Sequence, residues 1–337
     1  MIAIFVWHVF CHGFSFTDGN VGMSEYPGNL FCALFLCSLC VPASYCFFFI
    51  TGFFGIKLSV QKLLSIILWM FIVSFMDVGY KYYISHEVNY FRLYTSLLPL
   101  WINKWWFISS YLTIYILSPM LNKSIEILGG KEIKKILWVL FAIIFYRFII
   151  LVPNAGSSFF GGVFMYILGR YCKKYNIRFS RRQSLKYFFV CAFAISLLSY
   201  VSYAAISIYS LQMAQRMAFQ WFGYSNPLVI LMAVSMFFYV LALPEFSSKY
   251  INSFLSSSIF IYLFTSSCCF VNYTDFALLY KEEIIKFLVL MCGSILACVV
   301  VGHIIMLMSR AILYPLFVML KFFNVTCVND WYIGYNS

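Results

Sequence analysis

Two histidines near the start of the chain stand out because they lie in a stretch that is otherwise almost entirely apolar. His8 and His12 fall within residues 1–16, which are rich in Ile, Val, Phe and Trp. In a helix, residues four apart lie on one face, about one turn or roughly 5.4 Å from each other. Burying an ionisable side chain in a membrane span is costly, and such residues commonly serve a function. The spacing therefore predicts one cavity that receives both imidazoles, and the alternative is a histidine hydrogen-bonded to a neighbouring helix.

A metal site is not expected at this pair. Two imidazoles at positions i and i+4 can ligate a cation, but the chain holds only four histidines, and no acidic residue lies between or directly beside these two. Cys37 and Cys40 form a C-x-x-C pattern inside an apolar run with no second pair, which favours simple packing over metal or redox chemistry. We therefore expect no bound metal.

The composition indicates a protein that faces lipid. Of the 337 residues, 64% are apolar and only 10% are charged, whereas a soluble globular protein carries about a quarter charged residues. The apolar runs are continuous and about 20 residues long, which fits helices and not barrel strands. The net charge of +12 is spread between these runs, so we expect no nucleic-acid partner. The sequence predicts an all-α fold, a polytopic transmembrane helical bundle.

About ten apolar runs follow one another in a single predicted domain, 1–337. If all ten cross the membrane, fifteen basic residues lie on the side of the termini and six on the opposite side. Because basic residues accumulate in cytoplasmic loops, we expect both termini in the cytoplasm. The expected spans are 1–16, 30–54, 63–78, one beginning at Lys104, 136–152, one ending at Tyr171, 187–209, 227–243, 254–270 and 284–308.

The first two spans carry irregular features. At about 1.5 Å per residue the first would cover roughly 24 Å, short of the hydrocarbon thickness of roughly 30 Å, so we expect that it is truncated at its N-terminus. It has no basic segment of the kind that precedes a cleavable signal. In the second span, Pro42 and the pair Thr51-Gly52 mark points where a helix can bend.

The interval between the third and fourth spans, residues 79–103, is the longest polar one in the first half of the chain. It holds His86, Glu87, Arg92 and several tyrosines. This composition suits a polar, ring-shaped acceptor. The alternative is an ordinary interfacial loop with an aromatic belt.

Four segments resemble a known family when they are taken together. They are His8 with His12-Gly13, the Phe-rich run Phe47–Phe54, the stretch from Trp105-Trp106-Phe107 to Leu121-Asn122, and Phe164–Tyr171 with its Tyr-x-Leu-Gly-x-Tyr pattern. They resemble the integral-membrane acyltransferases of family 3, especially the branch that O-acetylates bacterial surface polysaccharides. The resemblance covers most of the first 270 residues, and the stretch from Trp105 to Asn122 is its most specific part.

The chain departs from the family pattern at several positions. Thr51 replaces a usual serine, and Thr265 stands where relatives commonly have a histidine. The family's arginine lies eleven residues before the first histidine, which here would be four positions upstream of Met1. Two explanations stay open: the recorded start is too late, or the protein is a degenerate, inactive copy.

The resemblance implies a membrane O-acyltransferase that moves an acetyl group from cytoplasmic acetyl-CoA to a hydroxyl of a cell-surface or lipid-linked polysaccharide. It implies a multi-pass protein of the bacterial inner membrane, with acyl-CoA, the glycan acceptor and the lipid bilayer as partners and no bound cofactor. His8 would act as general base, and His12 would orient His8 or the acceptor. The substrate-binding residues implied are Thr51, Trp105, Trp106, Tyr111, Tyr115, Asn122, Tyr166 and Arg170, with Arg170 on the phosphates of the donor.

A transporter of lipid-linked glycans would share the same composition. Transporters are often built from related halves with interrupted helices in matching positions. No such correspondence is visible here, and the informative polar residues lie in the first 170 residues. The transporter therefore remains the alternative function.

Overall fold

The computed structural model describes residues 1–13, 30–87, 89–99, 105–150, 158–245, 247–266, 271 and 273–322. All regular elements in these ranges are helices, so the predicted helical class is confirmed. The polar loop of residues 17–29 lies outside them. In chain order the helices are α1 (Ile2–His8), followed by a π-helical turn (Val9–Gly13), α2 (Leu30–Cys40), α3 (Ala43–Phe54), α4 (Val60–Ser85), α5 (Tyr90–Leu97), α6 (Trp106–Ile127), α7 (Gly130–Ile149), α8 (Ser158–Lys174), α9 (Arg181–Ile206), α10 (Leu211–Gln220), α11 (Pro227–Leu241), α12 (Lys249–Ser256), α13 (Ile259–Ser266), α14 (Tyr273–Glu282) and α15 (Ile284–Phe322).

Four helical stretches of the described chain are long and apolar enough to cross a membrane. They are Leu30–Phe54, Val60–Ser85, Arg181–Ile206 and Ile284–Pro315. Two shorter apolar helices, Ile2–Gly13 and Pro227–Leu241, match further predicted spans. The ten spans and the side of the termini stay predictions.

The remaining predicted spans correspond to helices that are shorter or more polar. The predicted span 136–152 falls in α7, which begins with Lys131, Glu132, Lys134 and Lys135, so its first turns are charged. The predicted span 254–270 includes the end of α12 and the whole of α13, two helices of eight residues each, and its residues 267–270 lie outside the described ranges. Charge and length therefore separate these helices from the four long apolar stretches.

Proline interrupts the second predicted span, as expected. Val41 and Pro42 separate α2 from α3, because proline lacks the amide hydrogen that a continuous helix requires. The Thr51-Gly52 pair does not bend the chain in the same way. Helix α3 continues through it to Phe54, and the Thr51 hydroxyl donates to the carbonyl of Phe48 at 2.9 Å.

The chain divides into two compact units. The first comprises Met1–Ile56, Trp106–Phe246 and Asn272–Met291, and the second comprises Lys57–Trp105, Ser247–Val271 and Cys292–Ser337. Nine of the ten predicted site residues lie in the first unit, and the tenth, Trp105, lies in the second. The prediction of one domain over 1–337 stays a prediction.

Glycines bring α3 and α8 of the first unit into backbone contact. A side chain on Gly52 would collide with the main chain of Tyr166, and one on Gly169 would collide with the carbonyl of Phe49. Small residues allow such close approach, and packing of this kind stabilises helix pairs in apolar surroundings. The contact fixes the position of Tyr166 and of the residues that follow it on α8.

Capping side chains define where the helices of the first unit begin. Ser180 and Gln183 form a capping box at the start of α9. At the start of α11, Asn226 accepts from the amide of Leu228 at 3.0 Å, and Pro227 occupies the first helical position. Both sequences are typical N-terminal signals, because they satisfy amides that have no partner within the helix.

The second unit contains most of α15, the longest helix that the structure describes, from Cys292 onward. Trp69 of α4 donates from its indole nitrogen to the hydroxyl of Ser309 on α15 at 2.7 Å. Gly302 of α15 lies against the ring of Phe260 on α13, and that ring packs 5.2 Å from Trp69. These contacts hold α4, α13 and α15 together.

Candidate functional site

The two histidines lie where the first helix changes its geometry. α1 ends at His8, and the π-helical turn Val9–Gly13 follows without interruption. The ring centroids of His8 and His12 are 5.4 Å apart, with 46° between their planes. Turns of π-helix are rare and often occur at functional sites. The structure therefore brings the two imidazoles together, as their spacing predicts.

His8 is the more enclosed of the two rings. Its side chain is buried, whereas His12 is partly exposed. Around them the first helix is anchored by aromatic contacts. Phe10 packs 5.6 Å from Tyr280 of α14, and Trp7 packs 5.8 Å from Phe222, just after α10. These aromatic contacts hold in place the helix that carries the two imidazoles.

Tyr273 is a neighbour of the pair that sequence reasoning missed. Its ring centroid lies 5.4 Å from that of His12. The adjacent Gly13 explains how α14 approaches so closely, since a Cβ at that position would lie 2.7 Å from the carbonyl oxygen of Tyr273. A larger residue there would push α14 away. No spacing in the sequence connects residues 12 and 273.

The predicted aromatic residues in α6 and immediately before it are divided between the units. Trp106 packs 5.0 Å from Tyr224, and Tyr111 lies 5.2 Å from Phe47 and 5.8 Å from Tyr115, all within the first unit. Trp105 belongs to the second unit. It is fully buried there, and its indole nitrogen donates to the carbonyl of Leu263 at 3.2 Å.

Asn122 and Tyr166 form a hydrogen-bonded network with the main chain of Ile56. The Tyr166 hydroxyl donates to the side-chain oxygen of Asn122 at 2.8 Å and accepts from the amide of Ile56 at 3.2 Å. The Asn122 side-chain nitrogen donates to the carbonyl of Ile56 at 3.0 Å. The network joins α6 and α8 to the segment that leaves α3. These two side chains therefore hold the end of α3 in place.

Arg170 lies one turn beyond Tyr166 on α8, next to the end of α3. Its guanidinium approaches Gly55, where a Cβ would lie 2.8 Å from a terminal nitrogen of the guanidinium. Gly55 also has a φ of 79°, a conformation that side chains disfavour. Glycine is thus favoured there for two reasons: its backbone conformation and the room that it leaves for Arg170.

The Arg170 guanidinium is only partly neutralised. Its side chain is 19% exposed and lies 3.6 Å from the carboxylate of Glu126, which is 68% exposed. Such a pair at the surface is weak. The Nε of Arg170 is buried without a hydrogen-bond partner among the described residues. An anion with several oxygens, such as a phosphate, would complete the set of acceptors that a guanidinium needs.

Two lysines follow Arg170 on the same helix. Lys174 donates to the carbonyls of Ile125 at 2.7 Å and Leu128 at 2.9 Å, at the C-terminus of α6. The Lys173 ammonium lies 5.1 Å from the centre of the Phe53 ring. The last two turns of α8 therefore carry three cations, Arg170, Lys173 and Lys174, beside the ends of α3 and α6. The Lys174 ammonium already donates to carbonyl oxygens. Arg170 and Lys173 are therefore the two cations of this helix end that could contact a bound anion.

Metal-binding side chains are not grouped in the part of the chain that the structure describes. No cluster of three or more His, Cys, Asp or Glu residues is present there. Imidazole side chains can transfer protons and form hydrogen bonds, and this is chemistry that the histidine pair offers.

These features define an integral-membrane protein with two adjacent imidazoles among apolar helices. A family model described as an acyltransferase domain, that of acyltransferase family 3, matches residues 1–303. The chain therefore belongs to acyltransferase family 3. Comparisons with curated proteins and with solved structures gave no match.

Proposed function

We propose that this membrane acyltransferase moves an acetyl group from cytoplasmic acetyl-CoA to a hydroxyl of a cell-surface or lipid-linked polysaccharide, in the bacterial inner membrane with both termini in the cytoplasm. The observation that carries the proposal is the His8–His12 pair, 5.4 Å between ring centroids, in a chain of acyltransferase family 3. Acyl transfer to a hydroxyl needs a base for the hydroxyl proton, and imidazole is the side chain used most often for that purpose.

The proposed reaction begins with His8. Its imidazole takes the proton from the acceptor hydroxyl as the hydroxyl oxygen attacks the thioester carbonyl of the donor. The new ester C–O bond forms, the C–S bond breaks, and the proton leaves with the sulfur as the free thiol of CoA. His12 lies beside His8 and beside Tyr273, so it is positioned to orient the first imidazole or the acceptor.

The donor is proposed to bind at the end of α8. CoA carries several phosphate oxygens, and Arg170 offers a guanidinium that Glu126 neutralises only weakly. Lys173 adds a second cation on the same face of the helix end. The Tyr166–Asn122 network supports this site because it fixes the backbone next to Gly55. Tyr166 and Asn122 are thus proposed as supports of the donor site.

The acceptor is proposed to contact the aromatic side chains of α6. Sugar rings present apolar C–H faces that pack against aromatic rings, while their hydroxyls reach polar tips. Trp106, Tyr111 and Tyr115 supply such rings, and Thr51 supplies a hydroxyl on α3. Trp105 is proposed as a structural residue because it is fully buried and its N–H is satisfied.

The direct test is acetyl transfer in a purified system. The chain is placed in lipid nanodiscs with radiolabelled acetyl-CoA and surface polysaccharide from the host cell that mild alkali has stripped of its O-acetyl groups. We expect label on the polymer that alkali releases again, as an ester does and an amide does not. Absence of label from a folded, acetyl-CoA-binding protein would overturn the proposal and favour an inactive copy.

Deletion of the gene separates a transferase from a transporter. We expect polysaccharide of normal amount and length that lacks acetyl substituents, measured by mass spectrometry of the purified polymer. Loss of the whole polymer would instead indicate transport. Membership of an acyltransferase family favours the first outcome.

A further inference from the structure

A pocket in the second unit lies between the end of α4 and the start of α5. Its volume is about 660 Å³, within the range of about 300–1,000 Å³ that is usual for small-ligand sites. The side chains that matter for its chemistry are Lys81, Tyr82, Ser85, Glu87 and Tyr90, and Gly79 is also part of its wall. None of these residues has a role in the reaction proposed above.

The pocket exists because the chain turns back on itself at this point. His86 ends α4 in a left-handed conformation with a φ of 55°. Asn89 then caps α5 by accepting from the amide of Arg92 at 2.9 Å. Farther from the turn, the hydroxyl of Ser96 donates to the carbonyl of Ser74 at 3.3 Å. The two helices are thus held together at one end and leave a cleft at the other.

Gly79 opens the cleft on the α4 side. A Cβ at this position would meet no atom within 4 Å, so no neighbouring backbone requires a glycine. Glycine inside a helix nevertheless costs about 0.5–1 kcal/mol relative to alanine. Gly79 is exposed and lines the pocket, so its missing side chain lets a ligand approach the backbone of α4 there.

The walls combine aromatic faces with polar tips. Tyr90 is 78% exposed and Tyr82 is 52% exposed, and Lys81, Ser85 and Glu87 line the same space. A belt of tyrosines at a membrane interface would account for exposed rings. It would not account for a concave site that is lined by tyrosines and by side chains of both signs of charge. Aromatic rings for C–H faces and polar groups for hydroxyls are the requirements of a saccharide.

We propose that the pocket between α4 and α5 binds a saccharide unit of the acceptor polysaccharide. This inference rests on the proposed function for the identity of its ligand. It adds an acceptor-binding site in the second unit that is separate in sequence from the histidines. The site would hold the polymer through units other than the one that is acetylated.

Binding is tested with a substitution at Gly79 whose side chain fills the pocket. The probe is a mixture of oligosaccharides cut from alkali-treated surface polysaccharide of the host cell, titrated against the full chain in nanodiscs by thermophoresis. Gly79→Trp is expected to weaken binding at least tenfold. Gly293→Trp is the matched control, since Gly293 is a helical glycine outside the pocket that also has nothing within 4 Å of its Cβ position, and it should bind as the wild type does.

A second pair of variants tests the aromatic wall. Tyr90→Leu keeps an apolar side chain but removes the aromatic face, and we expect binding to weaken about fivefold. Tyr83→Leu is the control because Tyr83 is 75% exposed but does not line the pocket. Equal binding by the wild type, Gly79→Trp and Tyr90→Leu would overturn the inference, as would a wild type that binds no oligosaccharide.

Transfer kinetics separate failure of this inference from failure of the proposed function. Gly79→Trp should raise the KM for the polysaccharide at least tenfold and leave the KM for acetyl-CoA unchanged. If the wild type acetylates the polymer and Gly79→Trp does so equally well, the pocket inference is wrong and the function stands. If oligosaccharides bind in a Gly79-dependent way but no acetyl is transferred, the function is wrong and the pocket stands.

Discussion

Gly52 of the first unit and Gly79 of the second show two opposite uses of a missing side chain. At Gly52 the space is taken by the main chain of Tyr166, so the glycine permits contact between α3 and α8. At Gly79 the space stays open and forms part of a pocket. A helical glycine in an apolar sequence can therefore mark either a packed contact or an open surface. Only its neighbours distinguish the two.

The same substitution at both glycines gives the largest expected contrast. Gly52→Leu should lower the melting temperature strongly or prevent folding, because the side chain meets backbone that cannot move without displacing α8. Overpacking of this kind typically costs about 1–3 kcal/mol, and occasionally more. Gly79→Leu should melt at or slightly above the temperature of the wild type, because leucine also favours the helix and meets no neighbour. Thermal melting in detergent, followed by size-exclusion chromatography, measures both variants. Equal melting temperatures would contradict the distinction between a packed Gly52 and an open Gly79.

Removal of the Arg170 charge tests whether the packed contact serves the donor site. Arg170→Gln should raise the KM for acetyl-CoA about tenfold or more, since a hydrogen bond to a charged group contributes about 1.5–3 kcal/mol. The KM for the polysaccharide should not change. Arg216→Gln, at an exposed arginine of α10, is the control and should leave both values as they are. An unchanged acetyl-CoA KM in Arg170→Gln would remove this residue from the donor site.

Tyr273 tests the contact that positions His12. Tyr273→Leu removes an aromatic pair, which contributes about 0.5–1.5 kcal/mol, so the transfer rate should fall about 2- to 12-fold. Tyr273→Phe keeps the ring and should retain nearly full activity. Steady-state transfer rates at saturating acetyl-CoA measure the difference. If Tyr273→Phe loses as much as Tyr273→Leu, the hydroxyl matters and the ring contact alone is not the explanation.

Alanine substitutions at an open and at a packed glycine give the smallest expected effect, a change in the free energy of unfolding. Gly79→Ala should raise the stability of the protein by about 0.5–1 kcal/mol, because alanine favours the helix and meets no neighbour. Gly169→Ala should lower it, since its Cβ would meet the carbonyl of Phe49. Chemical denaturation in mixed micelles compares the two. Destabilisation by Gly79→Ala would mean that the pocket wall is packed after all.

The sequence predicted the parts of the fold that depend on composition and local chemistry. Continuous apolar runs predicted helices, Pro42 predicted the break between α2 and α3, and the spacing of His8 and His12 predicted adjacent rings. The π-helical turn was not predicted, because a spacing of four residues fits an α-helix equally well. The predicted span 136–152 begins after the charged first turns of α7, and whether this helix crosses the membrane stays a prediction.

The rest of the site depends on contacts between distant parts of the chain. Tyr273 lies beside His12 only because Gly13 lets α14 approach. Asn122 and Tyr166 were assigned to substrate from their family motif, whereas their polar atoms are engaged with each other and with Ile56. Residues on different helices, far apart in sequence, leave no periodic signal that pairs them.

The most direct test of the account is the acetyl-transfer rate of His8→Gln in nanodiscs. A general base contributes about 10²- to 10⁴-fold to a rate, so we expect a loss of that size with melting temperature and acetyl-CoA affinity unchanged. His303→Gln, a substitution of the same kind in α15, should transfer at the wild-type rate. A His8→Gln variant that stays within a few-fold of the wild type would contradict the assignment of His8 as the base.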